Sequence, residues 1–120
     1  MAGKSPLFRL EHILESIALI REYCADLDFD GFQRNRLVRQ AVERNLEIIS
    51  EASRHVPAQQ RTAHPEIPWR RIADIGNVLR HQYHEVDPRT IWDITRRDLD
   101  TLERAVRSAI QDLTRGAKKS

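Results

Sequence analysis

Apolar residues return at every third or fourth position through most of this chain, and nowhere do they alternate with period two over a useful length. A helical period gathers such residues into one stripe, whereas a half-buried strand needs a period of two. The pattern therefore predicts an all-α protein with no sheet. Residues 7–25 form the first expected helix, with Leu10, Ile13, Leu14, Ile17, Ile20 and Cys24 on one face. After a break at 26–30, Asp30 is the expected N-cap of a long second helix reaching about His55. Its stripe is Val38, Val42, Ile49, Ala52 and Val56, flanked by Ala41, Leu46 and Ile48, and Pro57 ends it. Residues 58–67 read as a connector with one short helical turn. Pro68 suits the first turn of a third helix, where a missing N–H costs nothing, and Trp69, Ile72, Ile75, Leu79 and Tyr83 share its face. Asp87 and Pro88 start the last helix as cap and first-turn proline, followed by the stripe Ile91, Ile94, Leu99, Leu102, Val106 and Ile110. The residues from Arg115 onward read as a frayed basic tail. The expected architecture is one domain over residues 1–120, a bundle of four main helices plus a short connecting turn, with flexible ends at about 1–6 and 113–120.

Composition narrows the function classes. With 40% hydrophobic and 32% charged residues in 120, the chain fits one soluble helical domain and is too charged for a membrane protein. No apolar run approaches the roughly 20 residues of a spanning helix. The opening MAGKSPLFRLEH lacks the apolar segment and cleavage site of a signal peptide. Cys24 is the single cysteine, so neither an intrachain disulfide nor a cysteine-based zinc site is expected, and a reduced cytoplasmic setting follows. The formal charge is only +2, so any RNA partner has to be held by a local basic patch.

One stretch concentrates chemistry. Residues 76–83, GNVLRHQY, carry an amide, a guanidinium, an imidazole and a phenol within two helical turns. Such a set can hold a phosphate and move a proton, which RNA cleavage requires. His81 can act as acid or base because imidazole titrates near neutral pH. Arg80 can grip phosphate oxygens with its fork of donors. Asn77, four residues before His81 on the same face, can orient the ring or donate to phosphate. Tyr83 continues the Ile72, Ile75, Leu79 stripe and so also fits a half-buried core position with its hydroxyl at the rim.

The remaining polar residues point elsewhere. Asn45 interrupts an apolar stripe and must find partners there, which suits fixing register better than catalysis. Arg39 and Arg44 can add to an RNA-facing patch or simply be solvated, and Glu43 and Glu51 fit surface pairs. His12 is alone in the first helix; His55, His64 and His84 make no metal set with His81, and no metal is expected. Trp69 and Trp92 read as core anchors. The Arg96–Arg97 pair and Lys118–Lys119 can contact RNA or be solvated.

Four stretches resemble the HepT-like branch of the HEPN ribonucleases: residues 39–52 (RQAVERNLEIISEA), 64–69 (HPEIPW), 72–83 (IADIGNVLRHQY) and 86–99 (VDPRTIWDITRRDL). The family hallmark is an Arg, four to six residues of which the first is often Asn, a His, and a Tyr two residues on. Asn77, His81 and Tyr83 match, whereas the Arg position is Gly76. Because a helical side chain lies over the preceding turn, Arg80 is expected to reach back over Gly76 and place its guanidinium there. The competing expectation is that Gly76 serves close helix packing and Arg80 is a solvated charge. The resemblance implies a homodimer with active sites in its groove and RNA cleavage by 2′-hydroxyl attack without metal or cofactor. It also implies a toxin–antitoxin setting, in which a minimal nucleotidyltransferase antitoxin adenylylates Tyr83. The alternative function is a module that lacks catalysis and only binds such a partner or RNA.

Overall fold

The computed structural model describes residues 5–81 and 87–119. Among them the chain is all-α. Helix α1 (Pro6–Cys24) begins at Ser5, whose hydroxyl accepts from the Phe8 amide at 3.1 Å. Helix α2 (Phe29–Arg34) is followed by α3 (Arg36–Arg54), the short α4 (Ala58–Ala63) and α5 (Trp69–His81). The last element is one long rod, made of α6 (Pro88–Asp93), a π-helical turn (Ile94–Asp98) and α7 (Leu99–Lys119).

The stripes fold as the periodicity demands. Leu10, Ile13, Ile17, Ile20 and Cys24 of α1, Val42, Ile49, Ala52 and Val56 of the α3 stretch, and Leu99, Leu102 and Val106 of α7 are all buried. Each fully buried aliphatic side chain contributes about 1.5–3 kcal/mol, so these stripes dominate the packing energy. Helix α3 lies between α1 and α5, and α7 covers the other side of α1. Arg21 of α1 ties these last two helices together through Asp100 and Glu103 of α7.

Two boundaries differ from expectation. The long helix over residues 30–55 is in fact two helices. Asp28, rather than Asp30, caps α2 by accepting from the Gly31 amide at 2.8 Å. Asn35 then leaves helical geometry (φ −99°, ψ 92°) and its side chain caps α3 by accepting from Val38 at 3.0 Å. The break lets Phe32 turn fully into the core against Trp92, with ring centroids 5.1 Å apart. The second difference is that the last helix continues to Lys119, past the expected fraying point.

The π-helical turn has a visible cause. Ile94 and Leu99, five residues apart, are both buried. At 3.6 residues per turn a five-residue step swings the second side chain off the face of the first. One wider turn absorbs the extra residue and returns Leu99, Leu102 and Val106 to the core.

Candidate active site

Helix α5 is set by its crossing with α3. Gly76 is buried there, and a β-carbon at its position would lie 2.0 Å from Ser50 Oγ and 2.5 Å from Ser50 Cβ. No larger residue fits at this approach, so the family's arginine could not stand at 76 without parting the helices. Ser50 Oγ donates across the crossing to the Ala73 carbonyl at 3.4 Å. Gly76 is therefore a packing residue. The reach-back expected of Arg80 is present as well: its Nη1 lies 3.6 Å from where that β-carbon would be. The two accounts of Gly76 are compatible, since the absent side chain serves both the crossing and the path of Arg80.

Arg80 Nη2 donates to Asn77 Oδ1 at 2.6 Å. Arg54, from the end of α3, donates its own Nη2 to the same oxygen, also at 2.6 Å. Two guanidinium donors require an acceptor, so the amide oxygen faces them and the Asn77 Nδ2 donors are left without a partner among the described residues. The nearest carboxylate is Glu51, 3.8 Å from Arg80 Nη1 and 3.1 Å from His55 Nε2. The His55 hydrogen bond, with the charges of His55, Arg54 and Arg80, holds the Glu51 carboxyl below the usual carboxylate range. Glu51, expected in a surface pair, thus pairs with His55 at the edge of the arginine cluster. Two like charges sharing one neutral acceptor form a place that an anion would complete.

Arg80 also lines an open groove of about 240 Å³ between α1, α3 and α5, together with Arg9, His12, Arg44, Glu47 and Glu51. His12, isolated in the sequence, thus shares a groove with Arg80, and its ring lies 5.8 Å from that of Phe8. The buried Arg9 Nε has no hydrogen-bond partner among the described residues. Arg44 is paired with Glu47 at 3.2 Å.

Other sequence candidates take structural places. The Asn45 amide donates back to the Ala41 carbonyl of its own helix at 2.9 Å. Arg39 donates to the Gln33 carbonyl at 2.6 Å, across the α2–α3 break. Arg96 lies over the Trp92 ring at 4.2 Å and donates to the Leu27 carbonyl at 3.0 Å, and Arg97 pairs with Asp93 at 3.5 Å. Trp92 is a core anchor as expected, whereas Trp69 is only partly buried, its Nε1 donating to the His64 carbonyl at 3.1 Å. His64 is buried and bridges Glu66 (3.2 Å) and Asp112 (3.1 Å), pinning the HPEIPW turn to α7. Neither the place of Arg54 nor that of His64 could be read from sequence, because each acquires its role only through helices distant in the chain. Among the described residues no three His, Cys, Asp or Glu side chains converge as a metal site, and no helix is long and apolar enough to cross a membrane. The side chain of His81 and all of Tyr83 and His84 lie outside the described residues.

In this helical bundle a guanidinium from α3 and one from α5 meet at Asn77, one turn before His81, and together offer a place for an anion. Comparison with known proteins supplies the family. The model of the ribonuclease HepT-like family matches residues 13–109. The chain is 40% identical over 94 residues to a protein of Thermococcus cleftensis named probable ribonuclease HepT, covering 78% of this chain and 86% of that one. It is 33% identical over 108 residues to a protein of Caldanaerobacter subterraneus provisionally named an RNase, covering 90% of this chain and 96% of that one. A similarly named protein of Methanocaldococcus jannaschii is 36% identical over 97 residues, covering 81% of this chain and 89% of its own length. No solved structure matches. The chain belongs to the HepT-like ribonuclease family.

Proposed function

We propose that the protein is a metal-independent endoribonuclease and the toxin of a toxin–antitoxin pair. In this reading His81 takes the proton from the attacking RNA 2′-hydroxyl or gives one to the leaving 5′-oxygen. Arg80 and Asn77 hold the phosphate on which negative charge develops. The observation that carries it is the convergence of Arg80 and Arg54 on Asn77 Oδ1, which presents two charged forks beside the helix position of His81. Membership of a ribonuclease family supplies the reaction class. One imidazole per chain is a sparse supply for two proton transfers, and a homodimer would bring two copies of α5 to one groove. A nucleotidyltransferase antitoxin would switch the site off by adenylylating Tyr83, since an added nucleotide brings bulk and negative charge beside the phosphate position.

The test is cleavage of cellular RNA by purified, unmodified protein in EDTA. Cleavage that disappears in His81→Ala is the expected result. If unmodified protein cleaves no RNA, the protein is a binding module and the enzymatic reading is lost.

A further inference from the structure

We propose that the pocket between α3, α4 and α5, lined by Arg54, Arg61, Trp69 and Arg70, holds a single-stranded stretch of the RNA flanking the scissile bond. The proposal rests on RNA being the substrate. The pocket is about 330 Å³, with Ser53 and Ala73 completing its lining. That volume falls in the roughly 300–1,000 Å³ range of sites that take a small molecule, and a nucleotide is of this size.

Its charge sets it apart from the groove beside Arg80. The groove has Glu47 and Glu51 among its walls, whereas no carboxylate lines this pocket. Arg61 and Arg70 form no ion pair or hydrogen bond among the described residues, so both forks are available to an anion. Trp69 supplies an aromatic face beside them. Its ring is fixed through Nε1 to the His64 carbonyl, and His64 is itself clamped by Glu66 and Asp112. A positioned indole in a pocket that three arginines also line suits a base that stacks and a backbone that runs past the arginines. Bases locked in a duplex cannot enter such a pocket, so the occupant is single-stranded.

Arg54 connects the pocket to the phosphate site. It lines the pocket and also donates to Asn77 Oδ1. A strand lying against Trp69 and Arg70 therefore passes Arg54 before it reaches Asn77 and Arg80.

The test measures binding of a labelled single-stranded RNA to the full chain carrying His81→Ala, by anisotropy across a salt series. The double variant Arg61→Gln/Arg70→Gln should bind about ten-fold more weakly or worse. Its slope of log K against log salt should fall by about 1.4, corresponding to roughly 0.7 for each single-strand phosphate that an arginine no longer neutralises. Trp69→Leu should also weaken binding about ten-fold, with an unchanged salt slope. Trp69→Phe keeps a stacking face and should retain most of the affinity, which separates stacking from any loss of fold. Arg97→Gln, on the π-helical turn, should change neither quantity. Unchanged affinity and slope in the double variant would overturn the pocket, as would a protein that binds no RNA. If the wild type cleaves RNA while the double variant binds normally, the ribonuclease reading stands without this pocket. If the wild type cleaves nothing but the double variant loses binding, the pocket stands as an RNA site without the enzyme.

Discussion

Replacing Gly76 with alanine tests the crossing on which the whole site is built. The added methyl group would sit 2.0 Å from Ser50 Oγ and 2.5 Å from Ser50 Cβ. Carbon atoms sit comfortably near 3.5–4.0 Å apart, so α3 and α5 must part by about 1 Å. The Cβ of Ser50 is fixed to its backbone and cannot rotate away. Overpacking of this kind costs about 1–3 kcal/mol, and a displacement so large belongs at the upper end. Alanine returns about 1 kcal/mol through its better helix propensity. The net expectation is a loss of about 2 kcal/mol. For a chain of 120 residues that lowers the melting temperature by about 6–10 °C. Urea unfolding, followed by circular dichroism, gives the same quantity at constant temperature. The decisive measurement is a double-mutant cycle with Ser50→Gly, which removes both clashing atoms. In that background Gly76→Ala should turn from destabilising to stabilising by up to about 1 kcal/mol, a coupling of about 3 kcal/mol. Gly76→Ala that is as stable as wild type, or a cycle with no coupling, would refute the close approach.

Arg80→Ala should lower RNA cleavage by about 100-fold or more, as expected when a positioned donor to developing charge is removed; initial rates on one RNA check this. Arg44→Ala, whose charge is already paired with Glu47, should change the rate by only a few-fold, and equal losses would reduce Arg80 to part of a general basic field. Asp112→Ala leaves the buried His64 ring without its α7 partner and should cost about 1–3 kcal/mol in denaturant unfolding, with no change if the clamp carries no weight. The Glu103 carboxyl is held below the usual carboxylate range by hydrogen bonds from Arg21 and then Arg107. A depressed carboxyl contributes stability above its unfolded pKa of about 4.3, and loses it as pH falls through the folded value. Glu103→Gln should thus be less stable than wild type at pH 7 and less sensitive to acid below about pH 5, and parallel unfolding profiles would contradict the linkage.

How much of this was legible depended on whether the signal was local. The stripe of α1 could be read directly, because every member follows the helical period and meets the core as a set. Asp87 and Pro88 were equally plain, since capping is decided within one turn, and Asp87 does accept from the Arg89 amide at 3.1 Å. The α2–α3 break was hidden. Phe29 and Phe32 keep helical spacing ahead of it, and a single Asn gives no sign that it will end one helix and cap the next. The five-residue step from Ile94 to Leu99 was read as part of one continuous stripe, because the wide turn that accommodates it is decided only by the packed core. At the site, the reach of Arg80 follows from helix geometry alone, so it could be anticipated. Arg54 could not, because its place beside Asn77 is set by the α3–α5 crossing at Ser50 and Gly76.

The π-helical turn changes how the last rod can vary. Adding one residue to a straight α-helix rotates everything beyond it by about 100° and would carry a finished core face into solvent. Here the surplus residue is confined to Ile94–Asp98. The two ends of the rod are thereby uncoupled in phase. Pro88–Asp93 keeps the rotation that seats Trp92 against Phe32, and Leu99–Lys119 independently keeps the one that fits α1. Removing one residue within the turn is the change this helix can absorb, since a plain α-helical turn would then join the same two faces, whereas the same change one turn to either side would break one of the two interfaces.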